Sequence, residues 1–398
     1  MHILIIGGRS EHYDTALSLG VEVTGFAQFS HVGSRIDDAT LKRCKFLEID
    51  IRDIALCTYH AKLLHQTHRF SGVFSFTEDG LETASVISES LGIPGSELIA
   101  NVITRNKQYT RRALAGTELD NVRWTVSRSI AEATDFCADV GFPAIVKQLN
   151  GSGSQNVHLV RNQNELEGVI ANLPLSEFLI EAFVEGPEFS VETISLGGKH
   201  FVLAITQKTT TENFVEIQHL IPAPLAQAES DAIHDAAMLM LDHIGLNTGI
   251  THSEFKLRSG GTDQPTPVLI ETQIRPGGGK VWKLVELSTG VNMIQYLIAH
   301  TIGLPIGDPA PNMQRTSLAY FPRYDYGIVT RADGIADLQT LPGVEYVDLE
   351  IEVGKRTKPY VSSATRNGAI VISGADIDEA IARRDFALST LNVAVSAD

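Results

Sequence analysis

An apolar run that carries acids, an amide and an arginine at alternate positions can bury only one of its faces. Leu269-Ile270-Glu271-Thr272-Gln273-Ile274-Arg275 is such a run, and it ends in Pro276-Gly277-Gly278-Gly279. Side chains of a strand alternate between its two faces, so a strand here aims Glu271, Gln273 and Arg275 into one cleft. Hard cations such as Mg²⁺ take oxygen donors of this kind, and an arginine beside them completes a site that handles phosphate. The three glycines let backbone amides approach an anion closely. A strand with one polar face and a glycine turn would explain the same residues more plainly, so the choice falls to the rest of the chain.

The segment His252-Ser253-Glu254-Phe255-Lys256-Leu257 reads as a second strand, joined to the first through the turn-rich residues 259–267. Paired antiparallel, the two bring Glu254 near Glu271 and Gln273. Carboxylates clustered without a cation repel one another, so this pairing favours a divalent-metal site that bridges nucleotide phosphates.

The composition narrows the classes of partner. With 398 residues, 43% of them hydrophobic, the chain holds two or three globular domains with substantial cores. Lys+Arg 32 against Asp+Glu 48 gives a formal charge of −16, and no basic run interrupts it. Neither a nucleic acid nor an anionic membrane is therefore an expected partner, and a polyanionic substrate must bring metal ions or meet local cations. Cys44, Cys57 and Cys137 stand far apart and without metal-type spacing, which argues against a disulfide framework or a zinc site. The first residues lack a charged leader, and no run of 18 apolar residues occurs, so a cytoplasmic location is expected.

Residues 2–7 read as a buried strand ending in Gly7-Gly8, followed by a helix over about 13–19 and a strand over 21–26. A helix near 53–68, a strand at 73–76 and a helix over 80–91 extend the pattern into a doubly wound α/β domain over 1–103. The turn Gly7-Gly8-Arg9-Ser10-Glu11-His12 departs from the full dinucleotide fingerprint. From 104 to 304 the pattern is α+β. A basic helix over 104–115 precedes strands near 122–127, 143–149, 156–160, 178–184, 188–196 and 200–207, with helices at 129–139, 163–172 and 228–244. Pro305, Pro309 and Pro311 mark a linker into a small α+β domain over 305–398, which ends in a helix at 376–390.

Three further constellations lie in the middle region. Phe142-Pro143-Ala144-Ile145-Val146-Lys147 ends in a lysine and leads through Asn150-Gly151-Ser152-Gly153-Ser154-Gln155-Asn156 into another strand. Such a hairpin offers flexible amides to phosphate at its tip and a point charge at Lys147, or it is an ordinary hairpin with an exposed lysine. Leu179-Ile180-Glu181-Ala182-Phe183-Val184-Glu185-Gly186-Pro187-Glu188 is a strand that crosses between domains. A purine could sit there against backbone groups of Ala182 and Val184, with a carboxylate reaching ribose; a linker with solvated acids is the simpler account. In Asn213-Phe214-Val215-Glu216-Ile217-Gln218-His219 a strand puts Glu216 and Gln218 on one face and His219 on the other, unless a bulge intervenes.

In this order the motifs resemble those of the ATP-grasp carboxylate–amine ligases, and among them the bacterial L-amino-acid ligases that make dipeptides. The likeness runs over nearly the whole chain. It includes the helix start from Asn106-Lys107 to Arg111, Pro342-Gly343-Val344 and Arg366-Asn367-Gly368. The resemblance implies an ATP-grasp fold with a lid over about 120–184, and ATP with two Mg²⁺ ions as cofactors, Mn²⁺ being an acceptable replacement. Lys107 and Lys147 would hold the ATP phosphates, with Gly151, Ser152, Gly153 and Ser154 closing over them. Glu181, Ala182, Phe183 and Val184 would receive adenine, and Glu188 the ribose. Glu254, Glu271 and Gln273 would bind the metals, although the family usually has asparagine where this chain has Gln273. Arg275 and Lys147 would act on the reacting phosphate. Glu216 and His219, with Arg275, Gly277 and Gly278, would face the amino-acid substrates. Apart from the resemblance, Trp282, just after the glycines, and residues 74–78 are candidates to border that pocket, Trp282 being equally suited to the core.

The activity so implied joins two amino acids through an acyl phosphate, releasing ADP and phosphate from a homodimer. Two other readings stay open. One is a related ligase that joins an amino acid to a different acid or amine; the other is an ATP-binding regulator without catalysis.

Overall fold

The computed structural model describes residues 1–396 apart from 32, 152, 154–155, 175 and 259–264, and apart from the side chain of Phe29. His2–Ile6 is buried at all its positions, as a central parallel strand must be. It pairs in parallel with Glu22–Ala27 on one side and Gly72–Phe74 on the other, and Lys45–Glu48 completes a four-stranded sheet. Ser10–Ser18, Ile54–Thr67 and Leu81–Leu91 are the main helices of this unit. The sheet's edge strand Lys45–Glu48 and the helix Asp38–Arg43 were not expected, because both are short and half exposed and show no clear apolar period.

The helix expected over 104–115 is two helices. Asn106, at φ −118, ends Leu98–Arg105 and caps Lys107–Ala113 by accepting from the backbone N–H groups of Gln108 and Tyr109. This side-chain cap satisfies donors that a helix start leaves bare, and it sets Lys107 in the first turn, buried. A four-stranded antiparallel sheet follows in the order Trp124–Ser127, Phe178–Ala182, Ala144–Lys147, His158–Val160. Helices Ile130–Val140 and Gln163–Asn172 pack on it around Ala133, Val146, Leu166 and Ile180.

The third sheet has eight strands, all antiparallel, in the order Pro267–Gln273, Gly249–Leu257, Glu188–Leu196, Lys199–Thr210, Glu216–Ile221, Thr316–Tyr320, Gly368–Gly374 and Val344–Leu349. Its last three strands lie beyond the proline-rich linker, so the sheet runs on without a break into the C-terminal region. Helices Val281–Thr289 and Met293–Thr301 were not expected. Each spans only nine residues, and no residue of Val281–Thr289 is exposed; Leu284, Val285, Ile294 and Ile298 join a core that also contains Ile3, Ile5, Ile194 and Ile250. A final strand, Asn392–Ser396, follows the closing helix Ile377–Thr390 and pairs with Ile328–Asp333. Among the described residues no helix is long and apolar enough to cross a membrane.

Candidate active site

A cavity of about 960 Å³ is bounded by the antiparallel four-stranded sheet, the eight-stranded sheet and segments that follow strands of the parallel sheet. Every described residue to which the resemblance assigns a nucleotide, metal, catalytic or substrate role lines it, from Lys107 and Lys147 through Glu188, Glu216 and His219 to Glu254, Glu271, Gln273, Arg275, Gly277 and Gly278. Ser152 and Ser154 lie outside the described residues, whereas Gly151 and Gly153 line the wall.

The register of Gly249–Leu257 and Pro267–Gln273 sets Glu254 directly across from Glu271, and His252 across from Gln273. Past Glu254 the pairing shifts, with Phe255 facing Leu269, so Ile270 is an extra residue and both Ile270 and Glu271 reach the cavity. Thr272, on the other face, bonds Ser253 at 2.8 Å. Glu271 holds Lys107 Nζ at 2.9 Å through Oε2 and accepts from Gln273 Nε2 at 3.0 Å through Oε1. Glu254 Oε1 meets Lys208 Nζ at 2.6 Å and His252 Nε2 at 3.3 Å. The two lysines supply the positive charge that lets the two carboxylates lie side by side. Burial opposes ionisation of Glu254, yet Lys208 and His252 hold its carboxyl well below the usual range. Gln273 Oε1 is buried without a hydrogen-bond partner. One orphaned amide oxygen beside two ionised carboxylates is a donor set that fits Mg²⁺.

His252 is braced from below. Its Nδ1 lies 2.7 Å from Oε1 of the fully buried Glu192; burial opposes its charge, but Glu192 and Glu254 outweigh that and push its pKa up to about 9. Gly277 is tight against this pair, since a Cβ there would come 2.7 Å from His252 Nδ1 and 2.9 Å from Glu192 Oε2. Gly277→Ala is therefore expected to displace His252 and, through it, Glu254. Partners that orient a metal ligand are typically worth about 10–100-fold in activity or metal affinity, and a Mg²⁺ titration of turnover should show a rise of that order in the half-saturating concentration. An unchanged titration would mean that His252 does not position Glu254.

At the other end of the cavity Glu181 is 4% exposed and sits between two cations, with Oε2 2.5 Å from Lys147 Nζ and Oε1 2.6 Å from Arg111 Nε. Arg111 also donates to the carbonyl of Leu269 at 2.7 Å, which ties the second sheet to the strand carrying Glu271. Burial works against the Glu181 charge, but Arg111 and Lys147 overcome it and take its pKa down to about 2. Its carboxylate is thus committed to holding Lys147 and Arg111. The backbone beyond it is also engaged, as Ala182 N–H donates to Arg123 O at 2.9 Å and Val184 O accepts from Lys256 Nζ at 3.2 Å. Lys256 also lies over the Phe183 ring, 4.9 Å from its centroid.

The bulge foreseen as the exception in the 213–222 strand is present. Thr209 pairs with Gln218 and Thr210 with Glu216, so Ile217 is extra. Glu216 and His219 consequently both line the cavity, while Gln218 accepts from Arg384 at 2.5 Å on the C-terminal helix. Glu216 lies 3.5 Å from Lys208 and 3.6 Å from Arg366, and accepts a hydrogen bond from Ser363. Burial resists its charge, and Lys208 and Arg366 still bring its pKa down to about 2. His219 is 3% exposed, and burial pushes its pKa down to about 3, so the ring is neutral. Its Nδ1 lies 3.3 Å from the carbonyl of Gly279, which can only accept, so Nδ1 carries the proton. Nε2, buried and without a partner, is then a bare acceptor.

Arg275 donates to Pro276 O at 3.0 Å and to Glu78 Oε2 at 3.2 Å, and Glu78 also pairs with Arg105. Phe76, Thr77 and Glu78 border the cavity together with Trp282, but Phe74 belongs to the core at 2% exposure. Sequence reasoning missed Lys208. It lies in the strand Lys199–Thr210, 46 residues from Glu254, and touches Glu188 at 2.9 Å as well as Glu254 and Glu216. No local pattern marks it; only the pairing of three strands assembles its partners.

The sheets and this ring of acids and cations define an ATP-grasp protein. A family model described as ATP-grasp domain matches residues 140–281, and one described as L-amino acid ligase C-terminal domain 2 matches 320–396. The crystal structure of an L-amino acid ligase from Bacillus licheniformis superposes with a TM-score of 0.84 at 23% identity, covering 99% of this chain and 98% of that one. An uncharacterized protein of Sinorhizobium fredii is 28% identical over 330 residues, 80% of this chain and 67% of that protein. The D-alanine–D-alanine ligase of Herminiimonas arsenicoxydans is 24% identical over 294 residues, 69% of this chain and 81% of that enzyme. The chain belongs to the ATP-grasp family, as a carboxylate–amine ligase related to the L-amino acid ligases and the D-alanine–D-alanine ligases.

Proposed function

We propose that the protein joins two amino acids by an amide bond, using ATP to convert the carboxylate of one into an acyl phosphate that the amine of the other attacks, with release of ADP and phosphate. The observation that carries this reading is the facing pair Glu254 and Glu271, with the orphaned oxygen of Gln273 two residues along the same strand and four cations, Lys107, Lys147, Lys208 and Arg275, around the same cavity. A carboxylate attacking a triphosphate brings anion against anion, and such a site offsets the repulsion in advance.

Glu254, Glu271 and Gln273 would hold Mg²⁺, which supplies Lewis-acid charge to the phosphate oxygens when bound. Lys107, Lys147 and Lys208 hold the triphosphate, and Glu181 keeps Lys147 aimed at it. Arg275 then stabilises the oxyanion that forms as the amine attacks. Glu216, ionised, and the bare Nε2 of His219 suit an ammonium group, which donates hydrogen bonds to both. Glycines 151 and 153 belong to the loop that excludes water, since an acyl phosphate open to solvent would hydrolyse. In domain terms, 1–103 contributes Glu78, 104–304 the nucleotide and metal residues, and 305–398 the loop with Ser363 and Arg366.

The test is a phosphate-release screen over pairs of amino acids with Mg·ATP, followed by mass spectrometry. Release that requires both an acid and an amine, with a product of the condensed mass, is the expected result. ATP binding without release for every pair would sink the reading in favour of a regulator, and release with only a different acid or amine would redirect it.

A further inference from the structure

Lys208 is the cation nearest Glu216 on its own side of the linker, and it is spent elsewhere. Its Nζ lies 2.6 Å from Glu254 and 2.9 Å from Glu188, but 3.5 Å from Glu216 Oε1, longer than an ordinary hydrogen bond. Among the described residues, the one hydrogen bond to the Glu216 carboxylate goes to Oε2 and comes from Ser363. That donor stands 147 residues further along the chain, in the turn that leads into strand Gly368–Gly374. Arg366 Nη1, from the same turn, lies 3.6 Å from Oε2 and is buried without a hydrogen-bond partner.

The turn is shaped by bonds of its own. Thr365 Oγ1 accepts from the backbone N–H groups of Val361 and Ser362, at 3.3 and 3.1 Å, and Arg366 Nε donates to the carbonyl of Ser363 at 3.1 Å. Tyr360 Oη donates to the backbone carbonyl of Glu216 at 2.7 Å, which moors the turn beside the residue it serves. The Arg366 guanidinium lies 3.8 Å from the centroid of the Phe321 ring, and that ring meets His219 edge-on at 5.2 Å and 77°. Arg366 and His219 are therefore braced on one buried aromatic, and Ser363, Arg366 and Phe321 all line the cavity.

One oxygen of Glu216 is thus held by the C-terminal region, and the other keeps its acceptor capacity for whatever enters the cavity. A carboxylate fastened at one oxygen cannot swing toward Lys208, so the direction of the second oxygen is set before a ligand arrives. We propose that Ser363 and Arg366 are positioning residues, which hold Oε2 of Glu216 so that Oε1 and Nε2 of His219 together receive the ammonium group of one amino-acid substrate. The inference rests on the ligase reading above. It gives the C-terminal region a part in selecting an amino acid, separate from the nucleotide and metal residues.

The test is steady-state kinetics of wild type, Ser363→Ala, Glu216→Gln and the double variant, varying ATP and each of the two amino acids in turn. Ser363→Ala removes one hydroxyl and none of the turn's own bonds, so it does not threaten the fold. It should raise KM for one amino acid about tenfold, the scale of a hydrogen bond to a charged group. KM for ATP and for the other amino acid should stay within about twofold of wild type. In the Glu216→Gln background the same replacement should change that KM by less than about twofold, because Ser363 acts through the carboxylate. Arg366→Gln should match Ser363→Ala, while Arg366→Lys, which keeps the charge, should stay within about threefold of wild type. An unchanged KM in Ser363→Ala, a rise shared by all three substrates, or a full effect persisting without the Glu216 charge overturns the proposal and leaves the ligase reading intact. A loss in Arg366→Lys equal to that in Arg366→Gln removes Arg366 from it, as packing on Phe321 would then be its role. If no pair of amino acids releases phosphate, or Glu216→Gln turns over too slowly, calorimetric titration of single amino acids into the same four proteins decides. Binding weakened about tenfold by Ser363→Ala, and not weakened by it when Glu216 is Gln, upholds the clamp. Equal or absent binding overturns it.

Discussion

Glu271→Ala is expected to lower ATP turnover by roughly 10³-fold, the scale of several kcal/mol of metal-borne charge stabilisation, while the protein still folds. Glu271 faces the other acid of the proposed metal site across one strand pair and orients Gln273 through its amide nitrogen, so its loss removes one ligand and frees another. The structural cost is smaller. Lys107 loses one partner, but its Nζ keeps the carbonyl of Gly151 at 3.0 Å. Near-normal phosphate release by the variant, with an unchanged melting curve, would remove Glu271 from the metal site.

Glu181→Ala should show the opposite balance. Here both partners are themselves buried, with Arg111 and Lys147 side chains about 6% exposed, so the variant leaves two cations without a counter-charge. Breaking a buried pair in this way costs about 3–5 kcal/mol, and the four-stranded sheet that carries Glu181 should open before the rest. Trp124 is a convenient reporter, since it pairs with Glu181 across the strands. In a Trp282→Phe background, Trp124 fluorescence should change at a lower denaturant concentration in the variant than in the parent. The pH dependence follows from the same group. Its folded pKa, about 2, lies below the ordinary 4.5, so its stabilisation is fully present above pH 4.5 and is lost as pH falls toward 2. Acid unfolding followed at Trp124 should therefore steepen across that window in the parent and flatten in the variant. Coincident acid curves would show that the Glu181 charge does not hold the sheet.

What could be read in the chain and what could not divide along physical lines. Glu254, Glu271 and Gln273 were legible because strand alternation is local, and the antiparallel pairing of the two strands sets Glu254 across from Glu271. Glu216 and His219 share a wall only through the extra residue Ile217, and a bulge leaves no mark in alternation. The single helix expected at 104–115 failed at Asn106, where a capping side chain offered the backbone a better start than continuation. The ion pairs of Glu181 were not legible, because its partners are 70 residues before it and 34 before it, out of reach of any local pattern. Lys208 and Glu192 were invisible for the same reason. Helices Val281–Thr289 and Met293–Thr301 were hidden by being buried on nearly every side.

The unbroken eight-stranded sheet has a consequence for how this protein can be cut. The two family models end at 281 and resume at 320, whereas strand Thr316–Tyr320 lies mostly in the gap and hydrogen-bonds Glu216–Ile221 on one side and Gly368–Gly374 on the other. Inherited modules and the cooperative unit therefore have different borders. A fragment trimmed at the linker would carry a raw, hydrogen-bond-hungry edge along the very strand that presents Glu216 and His219, and such edges recruit other chains.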